Sequence, residues 1–278
     1  MTDHISGKAI VVTGAGGGFG RLVAQKAAAR GARVVCGDID GAAAQATAEA
    51  AVAAGGQAIG LAADVTRLAD AAALVRASVE QHGAIDVMVN NAGTMPLAFF
   101  SDHAAAYDAW SRCIDINIKG VLNGMVAAHD PMIAAGRGQI VNISSIYGNF
   151  PVVGAAVYGA SKAAVNMLSE SFRLETRGKI KVTTVKPTGV PATGLSGSVI
   201  NPAATVGILG ANLGEFMQAA GGLRDGSLPA ARLDPEAMNY VFLAPEHIAD
   251  AVLHAIDQPW GVSIGEITVR AAGDHFIL

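Results

Sequence analysis

Short apolar runs alternate with alanine-rich, helix-periodic stretches along the chain. The runs predict seven strands, at 8–14, 32–38, 57–65, 85–93, 138–145, 179–187 and 265–270. The stretches between them predict helices that end near Gly31, Ala54, His82, Ala135 and Gly178. After the sixth strand the pattern predicts an irregular stretch, and then a helix at 246–257.

Strands that alternate with helices indicate a parallel sheet with right-handed crossovers. The strands are almost continuously apolar, which is typical of strands buried on both faces. No linker or internal repeat interrupts the pattern. We therefore predict one Rossmann-type, doubly wound α/β domain over residues 1–278, with about seven strands and helices on both faces.

Composition and charge exclude several classes of protein. The chain is 51% hydrophobic with a mean hydropathy of +0.40, yet no apolar run approaches the ~20 residues of a membrane-spanning helix. The first residues lack the features of a signal peptide, and Cys36 and Cys113 alone do not indicate a disulfide framework. A net charge of −4 argues against nucleic acid. These features predict a cytoplasmic protein without membrane or nucleic-acid partners.

The segment TGAGGGFG, residues 13–20, lies between the first strand and the first helix. In a doubly wound sheet this turn binds the pyrophosphate of a nucleotide at the helix N-terminus. The glycines fit the spacing G-x-x-x-G-x-G on Gly14, Gly18 and Gly20, whereas the register G-x-G-x-x-G fails at Phe19. The alternative interpretation is a flexible connector.

Asp38 ends the second strand, 24 residues after Gly14. A carboxylate there accepts hydrogen bonds from the adenosine ribose and repels a 2′-phosphate. No Lys or Arg lies within 14–20 or 37–41 to neutralise such a phosphate. NAD is therefore favoured over NADP, and the alternative is that Asp38 is a solvated loop acid.

Tyr158 and Lys162 are four residues apart on a predicted helix, so both side chains share one face. With the glycine turn and Asp38 they resemble the classical short-chain dehydrogenase/reductase family, over nearly the whole chain. The resemblance assigns Thr13 and the three glycines to the cofactor motif and implies a catalytic set of Asn117, Ser145, Tyr158 and Lys162. It also implies further cofactor contacts at Phe19, Asp38, Asp64, Val65, Asn91, Ala92, Gly93, Pro187, Val190, Tyr158 and Lys162.

The resemblance implies an NAD-dependent oxidoreductase that interconverts a secondary alcohol and a ketone. A free tyrosine is a poor base at neutral pH, so we expect Lys162 and the nicotinamide charge to lower the pKa of Tyr158. Ser145 would bind the substrate oxygen, and Asn117 would hold a water that connects Lys162 to solvent. The main alternative is a non-catalytic NAD-binding protein. A sugar epimerase or a metal-dependent alcohol dehydrogenase is less favoured, since no larger substrate domain and no ligand cluster is visible.

The chain departs from the family after the sixth strand, where Pro-Gly is usual and KPTGVPATG stands at 186–194. Thr188 takes the place of the glycine and Thr193 falls one position late, so we expect an altered loop backbone. Residues 188–244 are predicted to form a substrate lid. Mostly apolar wall candidates favour a hydrophobic or aromatic substrate: Met95, Tyr147, Phe150, Val152, Leu195 and Phe216. The family also implies a homotetramer, and the apolar tail 275–278 is a predicted second contact between subunits.

Overall fold

All seven predicted strands are present and form one parallel sheet. A computed structural model of the chain describes residues 3–191 and 193–277. The sheet has the order β3-β2-β1-β4-β5-β6-β7. Its strands are β1 (Ala9–Thr13), β2 (Arg33–Asp38), β3 (Gln57–Ala62), β4 (Val87–Asn90), β5 (Gly138–Ile143), β6 (Ile180–Pro187) and β7 (Glu266–Val269). In the register of the central strands, Val11 of β1 pairs with Val35 on one side and Met88 on the other.

Helices fill the connections between the strands, as predicted. They are α1 (Gly18–Ala29), α2 (Gly41–Ala53), α3 (Leu68–His82), α4 (His103–Ile114), α5 (Gly120–Ala134), α6 (Ala156–Glu175), α7 (Val206–Leu209), α8 (Leu213–Asp225) and α9 (Pro245–Ile256). A single π-helical turn, Asp115–Lys119, joins α4 to α5.

The sheet is covered on both faces because its strands are apolar at successive positions. Ile10 and Val12 of β1 belong to one apolar cluster, which includes residues of α1, α2 and α9. Val11, which points to the opposite face, belongs to a second cluster with residues of α3, α5 and α6. The prediction of a doubly wound sheet with two helical layers is confirmed.

The stretch 188–244 is more regular than predicted, because it contains α7 and α8. These helices contribute to a third apolar cluster, together with residues that follow β4 and β5. We call residues 194–225 the lid. Phe216 of α8 also packs edge-on against Phe242, with ring centroids 6.1 Å apart. Tertiary contact of this kind explains a helix that the local sequence does not predict.

The order of the strands reverses beside β1, which has β2 on one side and β4 on the other. In an open parallel sheet such a reversal creates a crevice at the carboxyl ends of the strands, where ligands bind. The glycine turn and the segment after β4 lie at this crevice. No helix in the described part of the chain is long and apolar enough to cross a membrane.

Candidate active site

The glycine turn joins β1 to α1 and leaves the amino end of the helix open. Gly14 has φ +64°, a conformation that favours glycine. A Cβ at Gly20 would lie 2.2 Å from the Gly14 carbonyl oxygen, which is too close for any side chain. The close approach of α1 to the turn therefore requires glycine at position 20. Gly17 precedes α1 without a side-chain cap. The N–H groups of the first helical turn therefore suit a phosphate.

Hydrogen bonds tie the segment after β4 to this turn. Thr13 Oγ1 accepts from the backbone N–H groups of Asn91 and Ala92, at 3.0 and 3.2 Å. The Asn91 side-chain amide donates to the carbonyl oxygens of Thr13 and Gly14, at 2.9 and 3.1 Å. These bonds position residues 91–93 beside the glycine turn.

The Asp38 carboxylate is held at the same crevice by two backbone groups. One oxygen accepts from the N–H of Gly16 at 2.8 Å, and the other accepts from the N–H of Asp40 at 3.0 Å. A Cβ at Gly16 would lie 2.9 Å from the first oxygen, so this contact also requires glycine. The end of β2 thereby presents a fixed negative charge next to the turn.

These elements enclose a cleft of about 880 Å³. Nine of the residues predicted to contact the cofactor line it: Gly14, Gly18, Phe19, Asp38, Asp64, Val65, Asn91, Ala92 and Gly93. One face of α4, which the sequence analysis does not single out, forms the opposite wall through Tyr107, Asp108, Ser111 and Arg112. Its only sequence signal is helical spacing, which a solvated helix face shows as well. The glycine cradle and the fixed carboxylate fit a dinucleotide.

Six of the residues assigned to the cofactor do not line the cleft: Thr13, Gly20, Tyr158, Lys162, Pro187 and Val190. Gly20 is buried behind the turn, and Pro187 is buried at the end of β6. Val190 packs against the apolar cluster that contains α1 and α9. Gly20, Pro187 and Val190 support the walls of the crevice from behind.

Tyr158 and Lys162 lie one turn apart near the start of α6, and both are buried. The Lys162 Nζ atom is 5.9 Å from the centroid of the Tyr158 ring and donates to the carbonyl oxygen of Ile143 at 2.8 Å. Ile143 is the last residue of β5, so the ammonium is held against the carboxyl end of the sheet. Neither side chain belongs to an exposed pair on the surface of the helix.

Two serines follow β5, and the structure separates their roles. The Ser145 side chain is hydrogen-bonded to Tyr158, and this bond lowers the pKa of the phenol. The Ser144 hydroxyl instead donates to the Lys162 carbonyl at 3.1 Å and contacts the Asn166 side chain at 2.7 Å. Of the two hydroxyls, that of Ser145 therefore faces the phenol.

Asn117 lies in the π-helical turn and is fully buried. Its amide donates to the Thr94 carbonyl at 2.9 Å, and its oxygen accepts from the Thr94 N–H at 2.9 Å. The amide also lies 3.0 Å from Ser161 Oγ and 3.2 Å from Cys113 Sγ. The side chain is therefore fully engaged, so the predicted water could be held only by the backbone at this position. π-helical turns often occur at functional sites.

Comparison with known proteins identifies the architecture. The sequence matches the family model described as short chain dehydrogenase over residues 8–202. The chain belongs to the short-chain dehydrogenase family. It is an oxidoreductase of this type.

Individual relatives of this dehydrogenase cover most of the chain. It is 32% identical over 268 residues to an uncharacterized oxidoreductase of Listeria monocytogenes, covering 95% of this chain and 96% of that protein. It is 34% identical over 192 residues to the 2,5-dichloro-2,5-cyclohexadiene-1,4-diol dehydrogenase LinX of Sphingobium indicum, covering 68% and 76% of the two chains. A match to glycine betaine reductase of Emericella nidulans covers 96% of this chain but only 19% of that longer protein.

The dehydrogenase also resembles solved structures. A metagenomic short-chain oxidoreductase, crystallised in complex with NADP, superposes with a TM-score of 0.72 at 30% sequence identity. The match covers 96% of this chain and 98% of that one. The fold and the family thus agree with the resemblance seen in the sequence.

Burial dominates the electrostatics of Tyr158 and Lys162 in the dehydrogenase. Burial raises the pKa of Tyr158 above its ordinary value, and the hydrogen bond with Ser145 only partly opposes this. Burial also lowers the pKa of Lys162 to about 8. We expected Lys162 and the nicotinamide charge together to lower the pKa of Tyr158; in the protein without nucleotide, desolvation is the largest influence on the phenol.

Most of the predicted substrate wall assembles around Tyr158. Met95, Val152 and Phe216 share an apolar cluster with it. Tyr147 belongs to the same cluster, with its ring centroid 5.4 Å from that of Tyr158. The other two candidates lie elsewhere. Phe150 is 61% exposed and lines a second cleft with Tyr147 and Val152, and Leu195 lines the cleft of the cofactor candidates.

The loop after β6 accommodates Thr188 without strain. No described non-glycine residue has a positive φ, and the Thr188 N–H donates to the Val269 carbonyl at 3.2 Å, continuing the pairing of β6 with β7. Thr188 Oγ1 is buried and has no hydrogen-bond partner among the described residues. Thr193 lies across the cleft from Gly18. A Cβ built at Gly18 would lie about 4.0 Å from the Thr193 Cβ atom. The expected distortion at Thr188 is therefore absent.

Proposed function

We propose that this dehydrogenase uses NAD(H) to interconvert a secondary alcohol and a ketone on a hydrophobic small molecule. One arrangement carries the proposal. Tyr158 and Lys162 are buried one turn apart, Ser145 is hydrogen-bonded to the phenol, and the three lie near a cleft that fits a dinucleotide. These are the groups that alcohol oxidation requires.

In this proposal Tyr158 is the general acid and base. Bound NAD would supply the acceptor for the hydride that leaves the carbinol carbon. The Tyr158 phenolate takes the hydroxyl proton, and in the reverse direction the phenol returns a proton to the ketone oxygen. Ser145 orients the substrate oxygen. Lys162, with a pKa near 8, exchanges protons in the neutral range and favours the phenolate by its charge.

The choice of NAD rests on Asp38. Its carboxylate is fixed beside the glycine turn, and residues 14–20 and 37–41 contain no Lys or Arg. A 2′-phosphate near this carboxylate would be repelled, whereas ribose hydroxyls would donate hydrogen bonds to it. The metagenomic relative binds NADP, so the selectivity of this chain depends on its own residues at this point.

The proposed substrate class rests on the apolar surroundings of Tyr158. Its cluster contains aliphatic and aromatic side chains, including Tyr147 and Val152. Apolar surroundings of this kind favour apolar groups around the reacting alcohol over a sugar. The name of the Sphingobium relative, a dehydrogenase of a chlorinated cyclic diol, is consistent with such a substrate.

The deciding experiment compares wild type with Tyr158→Phe on a panel of secondary alcohols, following NADH formation. Loss of the phenolic proton acceptor should lower kcat/KM by about 10³-fold. Tyr240→Phe, which changes a tyrosine whose hydroxyl accepts a hydrogen bond from the Ala244 N–H away from the site, should retain most activity. If wild type binds NAD but turns over no alcohol or ketone, or if Tyr158→Phe is fully active, the catalytic proposal fails and a non-catalytic NAD-binding protein is favoured.

A second experiment tests the cofactor. Asp38→Asn keeps the shape of the side chain but removes its charge, so the ratio of kcat/KM with NADP to that with NAD should rise about tenfold or more. Asp40→Asn is the matched control, because asparagine can still cap α2 through the bond now made to the Ala43 N–H. A wild-type enzyme that prefers NADP, or an unchanged ratio in Asp38→Asn, would overturn the assignment of NAD.

A further inference from the structure

The segment after β7 folds back over the lid of its own chain. We call residues 270–277 the tail; Leu278 of the predicted contact 275–278 lies outside the described residues. The Arg270 guanidinium donates to both carboxylate oxygens of Asp274, at 3.1 and 2.9 Å, and to the Phe276 carbonyl at 2.9 Å. These bonds fix the course of the tail as it leaves the sheet.

The tail is bonded to the lid at two points. The Ile277 N–H donates to the carbonyl of Ile208 in α7 at 3.0 Å. The Asn212 side chain, just before α8, donates to the His275 carbonyl at 3.0 Å. The His275 side chain is buried against Phe216, with ring centroids 6.0 Å apart. His275 and Phe276 thus pack against their own chain, while the Ile277 side chain is 54% exposed.

Phe276 reaches the site itself. Its ring lies 6.1 Å from that of Phe216 and belongs to the apolar cluster that contains Tyr158. A Cβ at Gly189 would lie 2.1 Å from the Phe276 Cζ atom, so the ring rests directly on the backbone after β6. Gly189 has no positive φ. Its glycine is explained by this close approach and not by backbone conformation.

This contact explains the glycine at position 189, one residue after the usual glycine of the family. Thr188 occupies the place of the usual glycine, and the glycine at the next position admits the Phe276 ring. The loop that carries Val190 is therefore shaped jointly by β6 and by a residue almost ninety positions later. Phe276 and Phe216 both pack against the cluster that contains Tyr158, and Phe276 also contacts the loop at Gly189.

We propose that Phe276 is a specificity-determining residue, whose ring forms a wall of the substrate chamber and limits the size of the alcohol or ketone. The inference rests on the proposed function, since it names what restricts the substrate of that site. The substrate class is a compact apolar carbonyl compound or carbinol. Shortening residue 276 opens space next to Gly189 and under α8, and bulkier substituents then fit.

The test measures kcat/KM for a series of ketones of increasing bulk, from methyl to aryl substituents. For Phe276→Ala, the ratio of the bulkiest to the smallest substrate should rise by about tenfold or more, with KM for NAD(H) unchanged. Ile277→Ala is the matched control, because it removes an exposed neighbour and keeps the backbone bond to α7. It should leave the ratio unchanged. Phe276→Leu replaces the alanine variant if that one does not fold, with a smaller shift in the same direction.

An equal loss of kcat/KM on every substrate would assign Phe276 a structural role and overturn the inference. An unchanged ratio of kcat/KM between the bulkiest and the smallest substrate would overturn it as well. If wild type turns over nothing, the proposed function fails, and the inference is then tested by binding. Calorimetry of the same ketones with enzyme and NADH should show that binding to wild type weakens as the ketone becomes bulkier. This weakening should be smaller in Phe276→Ala. Identical dissociation constants for the two proteins would overturn it in that case.

Discussion

Tyr158 and Lys162 lie one helical turn apart, and burial acts on the pKa of each. It raises the pKa of the phenol and lowers that of the ammonium to about 8, because it disfavours the charged form of both. Below pH 8 the phenol is therefore neutral, whereas the lysine still carries its charge at a cost. Any group that stabilises the phenolate, such as a hydrogen bond from Ser145 or a bound cation, has a direct effect on the reaction.

The first prediction at this scale concerns Ser145. Alcohol oxidation needs the phenolate, so kcat/KM for an alcohol should rise with pH and level off above the apparent pKa of Tyr158. The Ser145 bond lowers that pKa. Ser145→Ala should therefore move the rising limb of the profile to higher pH, and it should lower kcat/KM by about 10²-fold through loss of a donor to the substrate oxygen.

Ser144→Ala provides the control, since the Ser144 hydroxyl bonds the Lys162 carbonyl and Asn166 and not Tyr158. Its pH profile should keep the wild-type midpoint. The measurement is kcat/KM at saturating NAD between pH 6 and pH 10 for the three proteins. A midpoint that moves in Ser144→Ala and stays in Ser145→Ala would contradict the assignment of the two serines.

At the scale of elements, the strands and most helices could be predicted because their signals are local. A strand buried on both faces is an apolar run, and each run here ends at glycine, proline or a polar residue. α8 could not be predicted, since Gly214, Gly221 and Gly222 lower its helix propensity. It forms because Phe216 and Ala219 pack against the tail and the residues near Phe242.

The features of the candidate site fall into the same two groups, those with a local sequence signal and those without one. Fixed spacing between consecutive elements predicts the glycine turn, Asp38, Ser145, Tyr158 and Lys162. Other features depend on contacts between distant segments. The π-helical turn forms where Asn117 meets the backbone of Thr94, and Phe276 packs against the cluster around Tyr158 only because the tail folds back. Neither contact has a local sequence signal, and burial, which decides the pKa values, is equally non-local.

For the molecule as a whole, the buried ammonium of Lys162 lowers the free energy of unfolding. The Lys162 ammonium has one hydrogen bond, to the Ile143 carbonyl, and no acidic partner among the described residues. Its pKa is 10.5 in the unfolded chain and about 8 in the fold. Between these values the unfolded chain binds more protons, so stability rises with pH. The penalty is fully present below pH 8 and is absent above pH 10.5.

Lys162→Met should therefore abolish turnover and yet stabilise the protein. The shift corresponds to about 3 kcal/mol, and loss of the hydrogen bond to Ile143 costs about 1 kcal/mol. We expect a net gain of about 2 kcal/mol in the free energy of unfolding at neutral pH, shrinking as the pH approaches 10. Urea unfolding at several pH values measures it, with exposed Lys179→Met as the control. A loss of stability at pH 7, or a gain independent of pH, would show that Lys162 is not held at a cost for its chemistry.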